Sequence, residues 1–313
     1  MLIKPEAVVP EEYGIEVSEV NAGIMHNRGI DVSLTTAQRF ANGIRFNAAF
    51  NFSFARNKVI QTFENASTFN NPNRRRTGRP WNSQFGLLAL GLYQEEDFEA
   101  DGVTLKPGLP VPSYGPVRPG DIKYADLAGP AGPDGKPTAP DGIINANDET
   151  FIGDPLFPQI IFGLNMDVSW KGFDLSMLWQ GGGKAAVRLA SEMAFPFFNG
   201  AKVFREQTDF WTPENRNASY PRLLPAPISN NTQTSSFWIK DGTYLRLKTL
   251  ELGYTIPDAI LQQMHMRSVR FFVSGQNLLT FSKLKFLDPE LGNPRARYYF
   301  QQKIFSFGVN VGF

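Results

Sequence analysis

The sequence predicts an all-β fold, an antiparallel transmembrane β-barrel wall with long loops, and three observations carry that prediction. Several segments of about ten residues, one crossing for a tilted strand, alternate between apolar and polar or small side chains. Period two is the mark of a pleated strand with two unlike faces. Aromatic residues make up 13% of the 313 residues, with 27 Phe. A soluble core of this size has no room for so many, whereas a barrel wall needs them against lipid and in two interfacial girdles. The last strand sets Phe305, Phe307, Val309, Val311 and Phe313 against Ser306, Gly308, Asn310 and Gly312. A large ring thus closes the chain where a soluble terminus frays into water.

Composition narrows the function. With 31 basic and 30 acidic residues the net charge is +1, so no overall field favours nucleic acid or another strongly charged partner. The absence of Cys excludes disulfides and thiolate metal sites. With 23 Pro and 28 Gly, helix content is expected to be low. No apolar run reaches the roughly 20 residues of a spanning helix.

Along the chain, residues 1–26 read as irregular, without the basic and apolar regions of a secretory signal. From Ile30 the pattern is regular: Ile30, Val32 and Leu34 alternate with Asp31, Ser33 and Thr35. After a Gly-bearing turn, Phe46, Phe50, Phe52 and Phe54 alternate with Arg45, Asn47, Asn51 and Ser53. An apolar face on lipid and a polar face on a wet lumen satisfies both sets without a second covering layer; a sandwich is the alternative.

Residues 57–157 read as a long Pro/Gly/Asn/Asp-rich loop, broken only by short alternation from Gln84 to Tyr93. Within it, Arg74–Arg76 is a solvated cluster or a contact for lipopolysaccharide phosphates, and Asp141 and Asp148 serve loop hydrogen bonds or a cation. EF-hand spacing is missing. A hairpin follows, with Ile160, Phe162, Leu164, Met166 and Val168 on one face, a turn at Lys171-Gly172, and Trp170 and Trp179 placed for the two girdles.

A second loop spans residues 182–236. Its Trp211, Tyr220, Asn215 and Arg216 are the candidate substrate-facing residues, a set suited to stacking on a sugar ring and bonding its hydroxyls, and equally to a self-packed loop. The next strand slips phase from Leu245 and Leu247 to Leu250, Leu252 and Tyr254, which predicts a bulge at Lys248. A short turn at 257–266, a strand through Phe271, a third loop at 283–302 and the final strand complete an alternation of long and short connections. His26 and His265 are isolated from carboxylates in sequence, and no catalytic, cofactor or metal residue is assigned.

The run from Phe237 to Pro257, FWIKDGTYLRLKTLELGYTIP, and that from Val269 to Glu290, VRFFVSGQNLLTFSKLKFLDPE, resemble the C-terminal hallmark of SusC/RagA TonB-linked outer-membrane transporters of Bacteroidetes. So do NRGIDVSL at Asn27, PGDIKYAD at Pro119, DGIINANDETFIGDP at Asp141 and WKGFDLSMLWQGGG at Trp170, in family order over nearly the whole chain. The resemblance implies the C-terminal portion of a barrel, about seven to nine of roughly 22 strands. Signal peptide, plug domain and TonB box are then expected outside these residues. It further implies a multi-pass protein of the outer membrane that imports oligosaccharides or peptides, is lidded by a SusD-like lipoprotein and is driven through TonB. Ser306, Gly308, Val311 and Phe313 resemble the signal read by the barrel assembly machinery. The alternatives are a small stand-alone porin or adhesin, and a soluble β-rich lectin or glycosidase, for which no carboxylate pair stands out by spacing.

Overall fold

The computed structural model describes residues 2–3, 20–264, 266–290, 295 and 298–313. Seven strands form one sheet: β1 (Ile24–Arg39), β2 (Arg45–Gln61), β3 (Ile160–Trp170), β4 (Phe173–Gly183), β5 (Tyr244–Thr255), β6 (Ser268–Ser282) and β7 (Ile304–Gly312). Every neighbour in the sheet is a neighbour in sequence, and all pairs are antiparallel. The result is an up-and-down meander. It is an open wall: among the described residues the outer edges of β1 and β7 have no strand partner.

The register separates the faces as the alternation requires. Phe50 stands opposite Leu34 and Leu164, while Asn51 stands opposite Ser33 and Gly163, and the Ser33 hydroxyl donates to Asn51 Oδ1 at 2.9 Å. The apolar face is uncovered: Leu34, Phe173, Leu252, Phe271 and Val309 are all exposed, and Phe307 and Phe313 are 81% exposed. A continuous apolar surface of this extent marks contact with something apolar.

Three local features set the geometry. Lys171 and Gly172 both have positive φ, 49° and 89°, the two-residue turn whose twist matches that of flanking strands. A Cβ on Gly172 would also lie 2.7 Å from the Thr255 carbonyl oxygen. At Lys248 the pairing with β4 jumps from Thr249–Leu178 to Leu247–Trp179, leaving Lys248 out of both ladders. This bulge carries the outward face from Leu247 to Leu250. Trp170 closes the turn end, its indole N–H donating to the Asn42 carbonyl at 3.2 Å, and Trp179 lies over the outward face beside Phe281.

Two expectations need correction. β1 begins at Ile24 rather than near Ile30, and β1 and β2 run 16 and 17 residues, longer than one crossing. Their ladder continues past the apolar belt through the pairs Arg28–Arg56 and His26–Lys58. Residues 57–157 are also no bare loop. Beyond Gln61 they fold, with the second and third loops, into a cap with its own core. Short pairs build it: Gln84–Leu87 with Glu149–Gly153, Ala89–Leu92 with Ile122–Tyr124, and Ala186–Arg188 with Ile239–Asp241. Leu87, Ile122, Tyr124, Leu189 and Trp238 are buried there, joined by Leu284 and Leu287 of the third loop. His265 and residues 4–19 lie outside the described residues.

Candidate functional site: the polar wall face and its cap

The face opposite the apolar belt is mostly polar, with Phe272 and Leu178 among its apolar members. Asn47, Asn51, Asn165, Asp167, Gln180 and Ser274 all fall on it by the register. Near the turn end, Arg270 of β6 binds one carboxylate on β5 and one beyond it on β4, donating from NH2 to Glu251 at 2.7 Å and from Nε to Asp174 Oδ1 at 3.1 Å. Gly253 lies under this bridge, with its Cβ position 2.4 Å from the guanidinium.

At the loop end, Arg246 fastens the third loop to the wall. Its guanidinium is buried and donates to Asp288 at 2.8 Å, to Thr280 at 3.0 Å, and to Glu290 and Gln301. Lys248 Nζ, presented by the bulge, adds a 2.8 Å contact to Glu290. Burial alone would push the Glu290 carboxyl up; the Lys248 hydrogen bond and the Arg246 charge outweigh it and hold it below its ordinary value.

The cap is locked by buried polar groups. Asp121 has no exposed surface and accepts from Arg222 through Nε at 2.8 Å and NH2 at 3.1 Å, from Asn231 Nδ2 at 3.0 Å and from the Arg118 amide at 2.7 Å. A buried charge is tolerated only when so fully answered. Gly120 has φ +87°, and a Cβ there would lie 2.5 Å from the Trp211 ring, so the glycine makes room for the indole.

The candidate substrate residues divide. Trp211 and Tyr220 are 7% and 4% exposed: they belong to the cap core, the self-packed arrangement, and present no stacking surface. The Trp211 indole donates to Gln94 Oε1 at 3.1 Å and the Tyr220 hydroxyl to the Met193 carbonyl at 3.2 Å. Asn215 spends its amide on Asp209 and the Phe210 carbonyl. Arg216 is exposed at the rim, paired with Glu96 and hydrogen-bonded to the same Gln94 that holds Trp211. Sequence reasoning identified the aromatic cluster but had no sign of Gln94, 117 residues from Trp211, as its partner.

Arg74 pairs with Glu149 at 3.2 Å and Arg75 lies over the Phe69 ring at 4.0 Å, while Arg75 and Arg76 remain exposed on the cap. Asp141 accepts from the Ile143 amide at 3.0 Å. Asp148 is fully buried and accepts from the amides of Leu127, Ala128 and Asn145. Beside it, Asp126 accepts from Gly142 while its other oxygen is buried without a partner. Burial, with the Asp148 charge behind it, raises the Asp126 carboxyl. Among the described residues no three His, Cys, Asp or Glu side chains come together as a metal site.

On β7, Ser306 stands opposite Ser274 and Val311 opposite Val269; Phe313 follows the last paired residue and projects exposed. Gly308 has a local role that the sequence did not disclose, because the Phe272 ring lies across it.

No family model matches the chain. It is similar to two receptors of Formosa agariphila: 29% identical over 294 residues to TonB-dependent receptor P3 (90% of this chain, 27% of that protein) and 26% over 332 residues to TonB-dependent receptor P26 (98% and 31%). Its fold is similar to the RagAB peptide transporter (TM-score 0.68, 22% identity, 97% of this chain and 31% of that one) and to the RagAB peptide importer in its closed-closed state (TM-score 0.69, 23% identity, 100% and 32%). The chain thus spans about a third of each relative's length.

Proposed function

We propose that this chain, by sequence and fold part of a SusC/RagA-type TonB-dependent receptor, supplies wall, lumen face and outer loops to an outer-membrane importer. The observation that carries this is the two-faced meander: an uncovered apolar side backs a polar side that a folded cap overhangs at one end only. On this reading residues 1–313 are the C-terminal part of the barrel, with plug and TonB box elsewhere in the receptor. A SusD-like lipoprotein lids the cap, and the cargo is an oligosaccharide or a peptide. The solved relatives are peptide transporters, which favours the peptide. Arg216 and Asn215 are the rim residues that cargo would meet, with Trp211 and Tyr220 holding them in place.

The test uses cells carrying the whole receptor, scored for outer-membrane insertion and for uptake of labelled peptides and oligosaccharides with and without TonB. TonB-dependent uptake of one class that also requires the co-encoded lipoprotein is the expected result. An inserted receptor with TonB-independent flux of both classes would replace this reading with a porin.

A further inference from the structure

Just beyond the apolar belt, at the loop end of β1 and β2, the outward face turns basic. Ile30 and Phe54 pair across the two strands, then Arg28 with Arg56, then His26 with Lys58. Two-residue steps keep all of these on the face that carries the belt, and the four basic residues are exposed. At about 3.4 Å per residue the two basic rows stand about 7 and 14 Å along the strand above the Ile30–Phe54 row. With the strands tilted, that spans the headgroup layer outside a hydrocarbon core of about 30 Å.

Like charges directly opposite one another destabilise a strand pair, so Arg28 facing Arg56 calls for an anion. Among the described residues no carboxylate pairs with either of them. A groove of about 700 Å³ runs along these side chains, lined also by Ile30, Phe54 and Ile60, and no Asp or Glu lines it. This segregation occurs in a chain whose basic and acidic residues number 31 and 30. Elsewhere Arg222, Arg246 and Arg270 all have carboxylate partners. Lys184 approaches the same place from the second loop, its Nζ 5.6 Å from the centre of the Phe54 ring.

We propose that this groove seats the phosphate groups of a membrane lipid whose acyl chains lie on the belt below. Continuity with the belt selects a lipid over a soluble anion: Ile30 and Phe54 line the groove and also belong to the apolar face. Guanidinium pairs suit phosphate because they meet it with two parallel hydrogen bonds. The site is distinct from Arg74–Arg76, none of which lines the groove. It rests on the membrane reading above.

The test compares the detergent-solubilised whole receptor with its Arg28→Gln/Arg56→Gln/Lys58→Gln variant. Native mass spectrometry and thermal unfolding are recorded with bisphosphorylated lipid A, with dephosphorylated lipid A and with inorganic phosphate. Retention of the bisphosphorylated lipid by the wild type is expected, with affinity falling at least tenfold in the variant or on dephosphorylation, and no retention of free phosphate. An Arg74→Gln/Arg75→Gln/Arg76→Gln control should bind as wild type. If the triple variant does not assemble, Lys58→Gln and a salt titration of the wild type take its place, and affinity must fall with salt. Equal binding by variant and wild type, indifference to the lipid phosphates, or equal capture of inorganic phosphate would each overturn the site. A receptor that inserts normally but shows any of these loses only the lipid seat; one absent from the membrane fraction loses the membrane reading itself.

Discussion

The ring of Phe272 lies across the backbone of Gly308, so that a Cβ at position 308 would stand 2.2 Å from Phe272 Cζ. The two residues are directly paired, β6 to β7, on the polar face of the wall. Gly308→Ala is therefore expected to drive the ring out of its place at a cost of about 1–2 kcal/mol. Phe272→Ala in the same receptor should recover most of it. A double-mutant cycle on the heat stability of the inserted receptor checks this, and additive effects would show that the ring does not need the glycine.

Phe313→Ala should lower the amount of receptor in the outer membrane far more than it changes uptake per inserted copy. The residue is at the turn end, remote from the cap, and its burial in lipid contributes only about 2 kcal/mol. Phe307→Ala removes a similarly exposed outward ring and is the comparison. Equal losses from both would reduce the terminal residue to lipid contact.

Asp126→Asn should stabilise the cap. The substitution removes a carboxylate whose ionisation burial and Asp148 oppose, and it gives the unpartnered oxygen's position a donor. The gain is about 1 kcal/mol. A raised folded-state pKa penalises folding only above the ordinary carboxylate value, so the gain should be present at pH 7 and vanish toward pH 3. Thermal unfolding at both pH values measures it; a gain independent of pH would assign it to packing.

Arg246→Met should free the third loop, because it leaves Asp288 and Glu290 without their buried partner, a local loss of about 3–5 kcal/mol. Glu290 has a lowered carboxyl, so its contribution is present above the ordinary carboxylate range and fades as pH falls through the lowered value. Amide protection across residues 283–290, taken relative to the intrinsic exchange rate at each pH, should fall in the variant at pH 7, and in the wild type on acidification through the lowered Glu290 value. Unchanged exchange in the variant would show that the loop is held elsewhere.

The wall was legible because each strand repeats one physical demand every second residue, and even the phase slip at Lys248 left its trace in the run of leucines. The extent of β1 was not, since Arg28 and His26 break the apolar pattern without breaking the ladder. In the cap, short segments with no period are joined across long separations. Arg222 meets Asp121 101 residues away, and Ile122 meets Asn231 109 away. Trp211 and Tyr220 looked suited to either of two jobs in sequence, and only the Gly120 contact and the Gln94 bond show which one the fold uses.

The three outer segments form one interlocked body. The Leu87 amide bonds the Thr234 carbonyl, Ala89 bonds the Ser236 hydroxyl, and Glu192 of the second loop grips Arg295 of the third. Grafting any single segment from a homologue would sever these ties and strand half of a shared core. The three segments are therefore inherited as a block, and recombination preserves their shared core only at crossovers that carry all three together.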